Sequence, residues 1–369
     1  MSLQFIMGNS GSGKSYCLYD TVVREAIENP DKNYLVIVPE QFTMQTQKDL
    51  CLAHPKGGIM NIDVLSFGRL AYRVFEEVGQ DARVVLDDEG KNLVLRKIAG
   101  ECEKDLKVFK GNLKKQGYIS EVKSVLSEFA QYGVDFERLD DFMKEVPPES
   151  YLHYKLDDIR TIYEKFEEYL SEKYITKEEM LDVLSDAVPY SDILKGSVVA
   201  MDGFTGFTPV QNRLIGELFS VCEKVMITVT MDGRENPYVY EHPYQIFALG
   251  KQMVTSLMKI AGEKKTEIEE PICLFERPVY RFRDCSEMAF LETELFRYSG
   301  AKYNGSCESV SLHEVRSPGK EAKYVAESIR RLVRTKGYRY RDIAVIASDM
   351  NVYLPCAGRS IPPEPPFRP

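Results

Sequence analysis

The residues best suited to chemistry are Gly8, Asn9, Ser10, Gly11, Ser12, Gly13, Lys14 and Ser15, which read GNSGSGKS. The stretch satisfies G-x-x-x-x-G-K-[ST], the pattern of a loop that wraps nucleotide phosphates. Glycines at 8, 11 and 13 let backbone N–H groups turn inward onto phosphate oxygens. Lys14 reaches the β- and γ-phosphates, and the Ser15 hydroxyl helps hold Mg2+. ATP with Mg2+ is the ligand pair such a loop serves. A second point of chemistry, Asp202, ends an apolar run in VVAMDGFTGFTPVQ, residues 198–211. A magnesium-binding aspartate belongs there, but the next residue, where a hydrolytic enzyme keeps a glutamate, is Gly203.

These residues need a frame, and the apolar runs supply one. LQFIM (3–7) runs into Gly8 as a buried parallel strand does, and a helical pattern with Leu18, Val22, Val23, Ala26 and Ile27 follows the loop. YLVIV (34–38), IDVLSF (62–67), SVVAM (197–201) and VMITVT (225–230) read as further buried strands. Strands alternating with helices specify an open α/β sheet. Residues 1–81 and 196–265 therefore form one α/β domain. Residues 82–195 form a helical insertion within it, with helical spacing at Val122, Val125, Leu126 and Phe129 and at Leu156, Ile159, Ile162, Phe166 and Leu170. Thr176 and Glu179 have the spacing of a capping box. VSLHEV (310–315) and DIAVIA (342–347) read as strands around a helix capped by Gly337, so 285–350 is expected to open a second α/β domain. Residues 351–369 are proline-rich and expected to be extended or disordered.

Bulk properties narrow the class. The chain has 369 residues, 44% of them hydrophobic and 28% charged, enough for two or three domains with substantial cores. No apolar run approaches the ~20 residues that span a bilayer, so no membrane partner is expected. Eight cysteines without a CxxC pair and four unpaired histidines point to a reducing, cytoplasmic setting and away from zinc. A net charge of −9 argues against a protein that coats DNA non-specifically, though a narrow basic channel is compatible with it.

In an open parallel sheet, ligands meet the loops at the carboxyl ends of the strands. There Gln41 and Thr43 offer hydrogen bonds, Phe67 and Phe207 offer stacking faces, Arg69 offers a fork for phosphate and Tyr72 lies three residues on. Stacking is worth about 1–3 kcal/mol per base, so these six are the candidate single-stranded-DNA contacts. Four have a plainer reading, Phe67 and Phe207 as core and Arg69 and Tyr72 as the start of a helix, whereas Gln41 after a buried strand and a proline is harder to explain structurally. The basic runs NLKKQG (112–117) and RRLVRTKGYRYR (330–341) are weaker candidates. The loop motif alone fits a phosphotransferase or a helicase-like motor, and a second α/β start near 310 favours the motor.

GNSGSGKS, LVIVPEQFTMQTQ, IDVLSFGRLAYRV, LDDEGKNLVLRKI, KLDDIRTIYEKFEEYL, VVAMDGFTGFTPVQNRLIGEL and EVRSPGKEAKYVAESIRRLVRTKGYRYRDIAVIAS together resemble the N-terminal part of the AddB (RexB) family. PEQFT and DGFTGFTPVQ are specific to that family, and the phosphate loop is not. The resemblance implies a superfamily 1 helicase core: a first RecA-like P-loop domain, a helical insertion and the start of a second RecA-like domain. It implies the helicase-like component of an ATP-dependent helicase–nuclease for recombinational repair of double-strand breaks. An AddA-like helicase–nuclease subunit would be its heterodimer partner, and single-stranded or double-stranded DNA ends its substrate.

Relatives carry a nuclease domain with an iron–sulfur cluster; no cluster and no nuclease carboxylates are expected within these residues. The resemblance fades from about residue 351, as in a truncated or frame-disrupted chain.

Departures from active helicases recur. Active superfamily 1 helicases read DEFQD where this chain reads DGFTG, so Asp202 is kept and Gly203 stands where the general base would be. The next motif is reduced to VTMDGRENPYVY, and DIAVIAS offers Ala347 and Ser348 in place of an arginine. No glutamine motif for reading adenine precedes the loop. Base catalysis is worth about 10²–10⁴-fold and an arginine finger about 10³–10⁵-fold. ATP bound with little or no hydrolysis is the expectation; the alternative is an active helicase drawing on Glu40 or Arg69, with a phosphotransferase as a more distant reading.

Overall fold

The computed structural model describes residues 1–79, 84–113, 115–170, 174–350 and 352–353, and of Gln116 only the backbone. It divides into two units, Met1–Asp284 and Cys285–Pro369.

The first unit starts with β1 (Ser2–Gly8), α1 (Lys14–Glu28), β2 (Tyr34–Ile37), α2 (Thr43–Ala53), β3 (Ile62–Leu65) and α3 (Phe67–Val78). A mostly helical stretch follows: β4 (Val84–Leu86), α4 (Asp88–Glu101), α5 (Gln116–Tyr132), α6 (Phe136–Glu145), α7 (Tyr151–Leu170), β5 (Tyr174–Thr176) and α8 (Glu179–Ala187). The chain then returns through β6 (Val198–Met201), α9 (Pro209–Val221), β7 (Lys224–Thr230), α10 (Ala248–Lys264), β8 (Glu267–Ile268) and β9 (Ile272–Leu274).

The main sheet runs in the order β3-β2-β6-β7-β1-β8, with β9 also on β1, and every pair is parallel. The α/β class expected from the sequence is present. Side chains alternate between the sheet faces, so each strand feeds two cores. Leu3, Phe5 and Met7 join Val199, Met201, Ile227 and Val229 against α3, α9 and α10. Ile6, Val36, Val198, Ala200 and Met226 face the other way, onto Leu18, Val22 and Leu50 of α1 and α2. The strands run buried because both faces are covered.

Helices α4 to α7 bury a core of their own, including Leu95, Ile98, Phe109, Val122, Leu126, Ile159, Ile162, Phe166 and Leu170. Asp158 ties it to the preceding loop by accepting backbone N–H bonds from Lys107 (2.8 Å), Val108 (2.7 Å) and Phe109 (2.8 Å). Thr176 and Glu179 form the anticipated reciprocal cap.

Three expectations need correction. The segment between β3 and β6 contains a two-stranded parallel sheet, β4 with β5, which three-residue strands are too short to announce by periodicity. Strand pairing on β1 continues past residue 265 through β8 and β9. And β3 stops at Leu65, because the Ser66 side chain accepts from Arg69 N and opens α3 at Phe67.

In the second unit, α11 (Ser286–Glu294) and α12 (Pro318–Lys336) are helices, and Gly337 caps α12 with φ 75°. Residues 310–315 and 342–347 form no strand, against expectation. A parallel strand needs a neighbour to complete its ladder, and among the described residues this unit offers none. Glu287 instead takes backbone N–H bonds from Glu308, Ser309 and Val310. Most of the proline-rich tail, 351 and 354–369, lies outside the described residues. Among the described residues no helix is long and apolar enough to cross a membrane.

Candidate functional site

Buried β1 delivers the glycine-rich loop to the carboxyl edge of the sheet, and α1 starts at Lys14 directly behind it. Gly11 (φ 86°) and Gly13 (φ 96°) occupy the left-handed region, which turns successive N–H groups toward one side. Lys14 Nζ donates to the carbonyls of Gly8 (3.0 Å) and Asn9 (2.9 Å), so the cation lies folded over its own loop. Burial pulls its pKa down to about 8, with Asp202 opposing and Arg281 adding to the fall. The Ser12 hydroxyl is buried within the loop without a hydrogen-bond partner. Ser10 and Ser15 are exposed. An unsatisfied buried hydroxyl beside a lysine held only by carbonyls is an arrangement that phosphate oxygens would complete, so the loop fits the nucleotide its sequence implies.

Asp202, only 7% exposed, ends β6 next to this loop. Thr228 donates to its Oδ1 at 2.6 Å and Tyr19 to its Oδ2 at 2.8 Å. Gly203 follows with φ 79°, and a Cβ built there would meet Pro39 at 3.5 Å and Phe42 at 3.7 Å. Gly203 is exposed, and its positive φ places it beside the loop after β2.

One polar cluster had not been anticipated. Asp232, just past β7, accepts from Asn9 Nδ2 (3.3 Å), from Arg234 (2.8 Å) and from Arg277 (2.6 Å), and these partners hold its carboxyl far below the usual range against the cost of burial. The chain after β9 then crosses the glycine-rich loop: Arg281 N donates to Gly11 O at 3.1 Å, and a Cβ on Gly11 would strike Arg281 Cβ at 2.7 Å. VTMDGRENPYVY, which looks degraded as a motif, thereby supplies an anchor for the loop. Its partners lie 45 and 223 residues away, and no local pattern joins them.

A family model described as "ADDB, N-terminal" matches residues 5–292. The chain belongs to the AddB family. It is 42% identical over 357 residues to the B-type subunit of the ATP-dependent helicase/deoxyribonuclease of Lachnoclostridium phytofermentans, covering 96% of this chain and 31% of that protein. The proteins of the same name from Clostridium tetani and Thermoanaerobacter sp. are 34% and 36% identical over 355 residues, again 96% of this chain and 31% and 30% of theirs. The chain therefore spans under a third of the length of these AddB relatives.

The six candidate DNA contacts of this AddB chain separate by exposure. Gln41 and Arg69 are exposed, and Tyr72 is 56% exposed on α3. Thr43 is buried at the start of α2, where its hydroxyl donates to the Glu40 carbonyl at 3.0 Å, so it is engaged within its own turn. Phe67 is 8% exposed and packs with Phe204 (5.4 Å between centroids) and Phe207 (6.3 Å), so it offers no free stacking face. Phe207 is half-buried and lines a cleft of about 510 Å³ together with Tyr132, Asn212, Leu249 and Gln252. Gln211, the last residue of DGFTGFTPVQ, is the far half of a capping box with Thr208 that starts α9. In the basic run near 339, Arg339 pairs with Asp342 at 2.8 Å.

Proposed function

We propose that this chain is the amino-terminal, nucleotide-binding part of the AddB component of an ATP-dependent helicase–nuclease that works on DNA ends in double-strand-break repair. Its first unit is read as a RecA-like domain of superfamily 1 type carrying a helical insertion, and Cys285 onward as the start of a second RecA-like domain. ATP lies along residues 8–15, with Lys14 leaving its carbonyl partners for phosphate oxygens and the free Ser12 hydroxyl gaining an acceptor. Mg2+, when bound, would neutralise phosphate charge beside Ser15. Single-stranded DNA runs past Gln41, Arg69, Tyr72 and Phe207. The partner is an AddA-like subunit, and the setting is the cytoplasm.

The site binds ATP and does not turn it over at a motor's rate. The observation that carries this reading is Gly203 directly after Asp202: it has no side chain to orient or deprotonate water, in a backbone conformation that glycine tolerates best. The test is equilibrium binding of a fluorescent ATP analogue to the full chain beside phosphate release with single-stranded DNA. Tight binding, lowered at least about tenfold by Lys14→Ala, with no DNA-stimulated release is expected. No binding, or rapid release, contradicts it.

A second reading has one observation in its favour. Gly203 packs on Pro39 and Phe42, the residues that bracket Glu40, so a substitute base would come from that loop. DNA-stimulated release that disappears in Glu40→Gln would establish this alternative.

A further inference from the structure

The nucleotide reading leaves one buried group unexplained. Tyr19 sits on the inner face of α1, one turn and a half past Lys14, with 9% of its surface exposed. Its hydroxyl lies 2.8 Å from Asp202 Oδ2 and 3.2 Å from Thr46 Oγ1 on α2. An ionised carboxylate only accepts, so the phenolic proton belongs to Asp202 and Thr46 must be the donor to Tyr19. Thr228 donates to Oδ1 from the opposite side at 2.6 Å. Both oxygens of Asp202 therefore already hold short hydroxyl bonds, supplied from α1 and β7 and backed from α2. Each oxygen can still accept a second bond, but the hydroxyls at 2.6 and 2.8 Å fix the direction of the carboxylate, and a magnesium-bound water would have to compete with these charge-assisted bonds.

We propose that Tyr19 is a positioning residue that, with Thr228, holds the Asp202 carboxylate away from metal duty, so that this site takes nucleotide with little dependence on Mg2+. The proposal rests on nucleotide binding at residues 8–15. It separates two functions that a working ATPase joins: phosphate capture by the loop and Lys14, and metal placement by the aspartate. Loss of the base at 203 and occupation of Asp202 then act on the same step from neighbouring residues. Because Thr46 follows the PEQFT loop on α2, the chain Thr46–Tyr19–Asp202 also ties the aspartate to the segment that carries Gln41.

The test measures the affinity of the full chain for a fluorescent ATP analogue in excess Mg2+ and in EDTA, for wild type, Tyr19→Phe and Thr228→Val. In the wild type the two conditions should agree within about threefold. Each variant, having lost one charge-assisted hydrogen bond to Asp202, should bind roughly tenfold more tightly with Mg2+ than in EDTA. Thermal melting checks that the variants fold; if Tyr19→Phe does not, Thr228→Val carries the comparison. The same Mg2+ dependence in all three proteins overturns the proposal, as does a wild type that loses about tenfold in EDTA. Absence of binding in every protein and condition has a different meaning: it removes the nucleotide reading, and this proposal with it.

Discussion

At the scale of residues, the chemistry concentrates on Lys14, Asp202 and Gly203. Lys14 is held at about 8 by burial, so at pH about 9 much of it is neutral before ligand arrives. Phosphate favours the charged form, so ATP binding at that pH must take up a proton, and affinity must fall as pH rises through that value. Calorimetry in buffers of different ionisation enthalpy should report uptake near pH 9 and little near pH 7. Gly203→Glu is the obvious attempt to restore a base. With φ 79° the new side chain costs about 1–2 kcal/mol of left-handed strain and starts from the wrong backbone direction. It should lower the melting temperature and give no phosphate release. The placement of residues 8–15 between a buried strand and a helix was legible because strand, glycines and lysine are contiguous in sequence, and that of Asp202 because an apolar run ends there. Asp232 with Arg277 and Asn9 was not, because only the fold brings β7, β9 and the loop together.

At the scale of elements, the inserted helices carry their own electrostatic signature. Glu167 on α7 faces Glu179 at the start of α8, beside the buried Lys91–Glu178 pair at 2.6 Å. Burial first, then the charge of Glu179 and a hydrogen bond with it, raises Glu167 from 4.5 to about 7. The folded state therefore binds the extra proton between those values, and the stability it contributes is present below 4.5 and lost as pH rises through 7. Glu167→Gln should raise the melting temperature at pH 7 and flatten its decline between 4.5 and 7; an unchanged profile would refute the shared proton. Long, doubly covered strands such as β1 and β7 could be read from their apolar runs. β4, β5, β8 and β9 have two or three residues each and were invisible. The strand patterns at 310–315 and 342–347 were genuine β propensity without a neighbour to pair with. The phenylalanines divide similarly: stacking face and core look alike in sequence, and only packing made Phe67 the buried member of the Phe204–Phe207 group.

At the scale of the whole molecule, the proposed function is that of a chain that grips ATP without a residue to trigger its hydrolysis. The sheet order brings the glycine-rich loop after β1, Asp202 just past β6 and Arg281 laid over Gly11 to the carboxyl edge of a parallel sheet, where ligands of such sheets bind. Gly203, beside Asp202, carries no side chain that could act as a base. Under the proposed function a partner subunit supplies the motor, and a DNA strand passes over the exposed Gln41, Arg69 and Tyr72. The most direct test follows the fate of bound nucleotide. Radiolabelled ATP is incubated with the full chain, Mg2+ and single-stranded DNA, the complex is separated from free ligand, and the bound label is resolved by chromatography. Label retained as ATP is the expected result; label recovered mainly as ADP, or phosphate released over many turnovers, would contradict it.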